Sequence, residues 1–377
     1  MEYRFNEDQL SIRETLREFT KKEVAPLDAD MDKNGFNNEL YIKMRDMGLL
    51  GIHYPEEYGG AGLDPVTGAM TIHEIARGSA SMALFLDAHW LAADAVLNFG
   101  TEEQKKKYLP IASSEGIFAF GLTEPDAGSD AAGLKTVAVK DGDSYIINGR
   151  KAWITNASIA DVYVVMAKTS PEKGAKGITA FIVEKDTPGF TVCSEEEKMG
   201  MRGSNTAGLI FEDMRIPAEN ILGEIDGGFK IAMVALDCAR ISIGAIACGL
   251  SEHALEIAKD YAKNRIAFGK PISEFQAIQF KIADMVIGIE NMKLITYNVA
   301  EKYARGEKFT LDAACCKVYS GETCVRICDQ AIQILGGNGY SKEYPAERLY
   351  RDAKLLEIGE GTSEILRMLI GRTTLSK

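Results

Sequence analysis

The chain has 377 residues, which at roughly one domain per 150 residues allows two or three domains or layers. Apolar residues make up 46 %, enough for a large core and too many for a disordered chain. Lys and Arg number 43 against 55 Asp and Glu, a net charge of −12 that argues against nucleic acid or an anionic membrane surface as the main partner, since both reward clustered cations.

The N-terminal stretch carries both charge signs and no apolar segment, so no signal peptide is expected. Seven cysteines, an odd number with no CxxC, read as small buried thiols of a reducing, cytoplasmic protein. His53, His73, His89 and His253 never pair at ligand spacing, so no metal is expected. The longest apolar runs, such as 243–250, are too short to span a bilayer, and no membrane insertion is expected.

Residues up to about 115 read as helical. Asn6 with Gln9 has the spacing of a capping box, and Ile12, Leu16 and Phe19 recur at helical intervals. The glycines around 59–62 mark a loop, after which helical patterning runs from about 64 to 99 and stops at Gly100. Near residue 117 the period changes. Short β-rich runs at 117–122, 137–140, 145–147, 161–168, 178–185, 190–193 and 209–214, without intervening helices, predict a small antiparallel barrel or sandwich. From about 228 the pattern is helical again. Runs at 229–264, 274–305, 311–335 and 346 to about 372 predict an antiparallel four-helix bundle. No βαβ alternation occurs, which disfavours a Rossmann fold.

Neither of the glycine-rich stretches at 336–339 and 359–361 follows a strand and opens a helix as a dinucleotide fingerprint requires, and helix capping accounts for Gly336 and Gly337. Glu360 stands between two glycines where one helical run breaks and another restarts. The glycines permit close approach of a ligand, and a carboxylate there suits a general base. By residues alone a solvated loop glutamate is the favoured reading, and Glu357 and Glu364 are near alternatives. The polar turn from Phe120 to Asp130 offers hydroxyls and free N–H groups to a heterocycle or phosphate. Trp153 to Thr155 read as a β-run, and Arg265 with Phe268 and Gln276 places a cation and an aromatic just after a long helix.

Six motifs occur in one order. They are Thr123-Glu-Pro with Gly128-Ser-Asp, Lys151-Ala-Trp-Ile-Thr-Asn156, Lys198-Met-Gly-Met-Arg-Gly203, Arg265-x-x-Phe-Gly269, Gln333-Ile-Leu-Gly-Gly-Asn-Gly339 and Glu360-Gly-Thr362. Together they resemble the acyl-CoA dehydrogenase family, and most closely its short-chain, butyryl-CoA type, over essentially the whole chain. The resemblance implies a mainly α protein with a central β domain: an N-terminal helical domain (1–115), a middle β-barrel (116–226) and a C-terminal four-helix bundle (227–377). It implies FAD as cofactor. Phe120, Leu122, Thr123, Gly128, Ser129, Trp153, Ile154 and Thr155 would surround the flavin ring, and Arg265 with Phe268 would face the pyrophosphate. Phe275, Gln276, Gln333, Gly336 and Gly337 would reach the adenine half from a neighbouring subunit of a homotetramer, and Thr362 and Glu364 would close the flavin site.

Ser129, Asp237, Arg240 and Gly361 match positions that hold the CoA thioester, and Glu360 matches the catalytic base. Some branches place that base immediately before the arginine matching Arg240, where this chain has Ala239. The implied reaction dehydrogenates a short-chain acyl-CoA, or reduces the enoyl-CoA. Glu360 takes the α proton, flavin N5 takes the β hydride, and an electron-transferring flavoprotein exchanges the electrons. Gly359 replaces a common tyrosine, which keeps a reductase of bulkier or aryl-acrylyl-CoA thioesters in view. A non-catalytic flavoprotein of the same fold is the alternative from another class. Asn205 and Ala207 depart from the family's usual pattern, and Trp90 fits either an acyl-pocket wall or simple packing.

Overall fold

The computed structural model describes residues 3–376. Six helices precede the sheet: α1 (Glu7–Phe19), α2 (Asp28–Asn34), α3 (Asn38–Asp46), α4 (Pro65–Ala76), α5 (Ala80–Phe99) and α6 (Glu102–Ser114). The capping box on α1 forms in both directions between Asn6 and Gln9. The helical stretch from 64 to 99 is two helices rather than one. It breaks at Gly78, where a Cβ would lie 2.6 Å from the Thr20 methyl.

The middle layer contains β1 (Phe118–Gly121), β2 (Val137–Asp141), β3 (Ser144–Thr155), β4 (Val162–Lys168), β5 (Ile178–Glu184), β6 (Phe190–Glu195), β7 (Thr206–Pro217) and β8 (Ile221–Leu222). Their order is β6-β7-β3-β2-β4-β5-β8, with β1 beside β4. This corrects the expected antiparallel barrel. The sheet is mixed, and among the described residues β6 does not pair with β8 to close it. β1 runs parallel to β4 because the whole β2–β3 hairpin intervenes and returns the chain to the same end. At the β8 edge Gln104 donates to the carbonyls of Glu219 and Ile221 at 2.8 Å, so that edge is capped by a side chain.

The last layer holds α7 (Gly228–Asn264), the small hairpin β9 (Ile266–Ala267) and β10 (Lys270–Pro271), α8 (Gln276–Ala304), α9 (Thr310–Leu335), α10 (Ala346–Leu355) and α11 (Ser363–Leu375). The expected fourth bundle helix is thus split in two by the turn at 356–362. The two glycines around Glu360 break the hydrogen-bond ladder there. By length and composition α5 and α7 are apolar enough to cross a membrane, although acidic residues such as Asp87 and Asp237 keep their uninterrupted apolar runs short. Of those stretches 89 % and 72 % are buried against protein, α7 packing on α4, α5, α8 and α9.

Two devices lock the layers together. The Lys198–Gly203 motif docks the sheet domain on α10: the Met201 N–H donates to Asp352, Arg351 donates to the Met199 carbonyl at 2.9 Å, and Gly200 lies against the Arg351 backbone. Burial pushes the Asp352 carboxyl up to about 7. Gly249 on α7 lets that helix approach α4, since a Cβ there would lie 2.3 Å from the His73 carbonyl oxygen. Gly249→Ala should therefore destabilise the protein by about 1–3 kcal/mol, seen as a lower denaturant midpoint with flavin-free and flavin-loaded protein affected alike.

Candidate active site

Glu360 adopts a left-handed backbone, φ +56°, and Gly361 follows at φ +102°. A non-glycine residue rarely holds that conformation unless its surroundings impose it. Here two cations do so. Lys317 on α9 donates to the Gly361 carbonyl at 2.6 Å, and Arg240 on α7 donates through Nε to the Glu360 carbonyl at 3.3 Å. Arg240 is itself held by Asp237 at 2.7 Å, and Asp237 accepts from the Thr310 hydroxyl at 2.6 Å. Thr362 caps the restarting helix by accepting from the Ile365 N–H at 3.4 Å. Burial pushes Lys317 down to about 8 against the opposing pull of the Glu360 charge.

The Glu360 carboxyl points inward, and its Oε2 is buried without a protein donor. Burial raises its proton affinity, while the neighbouring Asp87 carboxyl and the charges of Lys317 and Arg240 hold the rise in check. The Glu360 N–H makes no backbone hydrogen bond among the described residues. A carboxylate with raised affinity beside an uncommitted N–H has the parts needed to take a proton and to steady a developing oxyanion. Glu357 and Glu364 do not share this setting. Glu357 pairs with Lys354, and Glu364 is exposed on α11.

A second group lies on the sheet. β3 bulges between Lys151 and Ile154 in its pairing with β7, which throws Trp153 outward at φ +61° and 60 % exposed. The bulge is pinned by Ala152 N–H to the Thr123 carbonyl at 2.9 Å and by a buried ion pair, Lys151 to Glu124 at 2.7 Å. Lys151 also donates to the Leu122 carbonyl at 3.2 Å, and Glu124 accepts from the N–H groups of Lys135 and Thr136. Burial holds Lys151 down to about 8 although Glu124 opposes it. Phe120, Leu122 and Ile154 are buried, Thr123 and Thr155 are half-buried, and Gly128 and Ser129 are exposed. An exposed indole face beside threonine hydroxyls and free loop amides fits a flat heterocycle such as a flavin ring. Asn205, unexplained by sequence, holds the turn after this strand: it accepts from the Ser158 N–H at 2.9 Å, and its carbonyl accepts from the Asn156 N–H at 2.9 Å. Ala207 pairs with Ile154 directly opposite the bulge. Trp90 is core, its indole N–H donating to the Leu50 carbonyl at 2.8 Å.

The third group sits at the far end of α7. Arg265 and Phe268 are exposed, Phe268 by 95 % at φ +52°, and Phe268 meets Phe275 edge-on at 6.0 Å. Gln276, Gln333, Gly336 and Gly337 are exposed as well. Tyr261 brings these residues together. Its carbonyl accepts from the Arg265 N–H, and its hydroxyl accepts from Asn338 just past the end of α9. Arg265 lies about 37 Å along the α7 axis from Arg240, so the third group is remote from Glu360 of the same chain.

Family comparison accounts for this combination. Residues 6–115, 119–214 and 226–375 match the acyl-CoA dehydrogenase N-terminal, middle and C-terminal domains. The chain belongs to the acyl-CoA dehydrogenase family. A probable acyl-CoA dehydrogenase of Bacillus subtilis (strain 168) is 48 % identical over the full length of both chains. The butyryl-CoA dehydrogenase structure from Megasphaera elsdenii superimposes with a TM-score of 0.97 at 42 % identity, both chains fully covered. A chain in the structure described as the electron-transferring flavoprotein of Acidaminococcus fermentans gives a TM-score of 0.98 at 43 % identity, again over both full lengths. Within the family the similarity is to the short-chain, butyryl-CoA type, and members are FAD oxidoreductases acting on CH–CH bonds.

Three structural contributors escaped the sequence reading: Lys317, the Lys151–Glu124 pair in its locking role, and Asp87. Lys317 and Asp87 are ionisable side chains inside otherwise buried helical faces, which is the signal that marks them. Glu124→Ala strands the Lys151 charge in the interior and should cost about 3–5 kcal/mol near neutral pH. Lys151 titrates at about 8 in the folded protein, below its unfolded value of 10.5, and lower still without Glu124. The variant's deficit should consequently grow as pH falls below 8 and narrow above it, checked by denaturation across a pH series.

Proposed function

We propose that the protein dehydrogenates a short-chain acyl-CoA between Cα and Cβ, or reduces the matching enoyl-CoA, with Glu360 as the base. The observation that carries this reading is the clamped left-handed turn, which buries the Glu360 carboxyl and leaves its N–H free. Glu360 takes the α proton in the forward direction and returns it in the reverse. Its backbone N–H steadies the thioester oxygen as enolate charge develops. Bound FAD supplies the acceptor for the electron pair that leaves Cβ. Trp153, Thr123, Thr155 and the 128–129 amides hold the ring, with Phe120, Leu122 and Ile154 packing behind. Thr362 and Glu364 close the site from the bundle. Ser129, Asp237, Arg240 and Gly361 flank the thioester, Asp237 and Arg240 chiefly by fixing the turn.

The division into domains at 1–115, 116–226 and 227–377 belongs to the same proposal. So does a homotetramer, in which Arg265, Phe268, Phe275, Gln276, Gln333, Gly336 and Gly337 serve a flavin on a neighbouring copy. The distance along α7 supports this, as does the exposed apolar side of α8, where Phe280 and Ile287 are 60 % and 59 % uncovered. An electron-transferring flavoprotein as redox partner is supported by the Acidaminococcus likeness. Seven unpaired thiols among the described residues suit the cytoplasm. A second reading has a specific support. A Cβ at Gly359 would make ordinary contacts with Leu355, 3.6 Å from its carbonyl oxygen and 3.8 Å from its side chain, so the fold does not need glycine there and its space is free for a bulkier acyl group.

Glu360→Gln should retain bound flavin while turnover falls about 10²–10⁴-fold; retained turnover overturns the assignment of the base. In an anaerobic titration, butyryl-CoA should bleach the flavin with higher kcat/KM than long-chain or aryl-acyl thioesters. The opposite ranking selects the second reading, and no bleaching by any thioester selects the non-catalytic flavoprotein. Sedimentation should give four 41.2 kDa chains, and Arg265→Gln should lose flavin while that mass persists.

A further inference from the structure

Asp87 lies midway along α5 among Leu84, Phe85, Leu86 and Ala88, only 2 % exposed. Its own helix also serves the sheet. The Phe85 carbonyl accepts from Asn156 at 3.0 Å, and His89, which burial keeps neutral, accepts from the Phe118 N–H at 3.2 Å. Asp87 faces the opposite way, toward Ser242 on α7 and the Glu360 carboxyl. Asp87 Oδ2 and Glu360 Oε2 are both buried without a conventional donor. Two carboxyl groups can hydrogen-bond only if one of them carries a proton, and like charges in a buried site cannot both persist.

The surrounding charges decide which group holds the proton. Glu360 looks onto Lys317 from α9 and Arg240 from α7, both of which favour its ionised form. Asp87 instead faces the Ser242 hydroxyl, the Glu360 charge and the more distant Asp94. Asp94 is taken up by His53 at 2.8 Å, and Asp237 by Arg240 and Thr310. Cys238 on α7 and Tyr303 on α8, the remaining titratable groups here, are pushed up by burial and stay neutral. Burial and the Glu360 charge both raise the proton affinity of Asp87 well above the ordinary carboxylate value.

We propose that Asp87 is a positioning residue for the base: its protonated carboxyl donates a hydrogen bond to the Glu360 carboxylate and keeps that carboxylate ionised and oriented before substrate arrives. This rests on the assignment of Glu360 as the base. Electron flow is unchanged. Glu360 gains the α proton while Asp87 keeps its own, and the pair then carries two protons until one returns to solvent or to product.

The test compares the flavin-loaded wild type with Asp87→Asn, Asp87→Ala and Glu360→Gln. Asparagine keeps the donor and the size of the side chain; alanine removes the donor. In the pH profile of kcat/KM, the acid limb of Asp87→Ala should move up by about one unit or more, because ionised Glu360 loses its hydrogen bond. The limb of Asp87→Asn should stay near that of the wild type. Downward movement in both variants would show Asp87 to be a repelling anion, and unmoved limbs would show it to be only structural. Either result overturns the proposal. Infrared difference spectra of wild type minus Asp87→Asn at neutral pH should show a protonated-carboxyl stretch that shifts in D₂O. Its absence overturns the proposal even if the alanine variant fails to fold. Full turnover by Glu360→Gln instead removes the base assignment itself, whereas an inactive Glu360→Gln with unshifted Asp87 profiles removes only the inference about Asp87.

Discussion

Glu360 keeps a left-handed backbone because Lys317 and Arg240, on two neighbouring bundle helices, bind the carbonyls of Gly361 and Glu360 in succession. Both cations are buried, and the chain's own carbonyls and the Asp237 carboxylate replace the water they have lost. Released from that grip, the glycine-flanked turn has many conformations of similar energy. With the grip, one carboxyl group is aimed inward, one N–H is left uncommitted, and α11 restarts at a capped threonine. The same two charges also set the electrostatics of the base, since they oppose the rise in proton affinity that burial imposes.

α5 connects that turn to the rest of the molecule. One face binds the sheet through His89 and the Phe85 carbonyl, and the other meets the bundle at Ser242 and Glu360. The exposed Trp153 bulge and the inward-pointing Glu360 carboxyl are therefore referred to one rigid helix. The Lys151–Glu124 pair performs a comparable service on the sheet, tying the 122–136 loop to the strand that carries the bulge. In each case a buried charge satisfied by several partners fixes a loop that apolar packing alone would leave free.

Much of the architecture was legible from periodicity. The three-layer order and the Asn6 capping box follow from local pattern, and the structure has them. The antiparallel barrel did not survive, because which strands become neighbours depends on where a crossover returns, and strand-forming composition does not encode that. The glycines flanking Glu360 mark the break in the last bundle helix, but the cations from α7 and α9 that fix the turn there come from helices distant in sequence.

Sequence by itself determined the family, through six short motifs in a fixed order, and with it the cofactor and the class of bond acted upon. It singled out Glu360 as one of three nearby glutamates and left the choice open on residue grounds. Tertiary structure separated them: Glu357 meets a lysine, Glu364 faces water, and Glu360 turns inward toward a second carboxyl from 273 residues earlier in the chain. The physical reason is that proton affinity depends on burial and on charges brought near by packing, and neither has any periodicity along the chain.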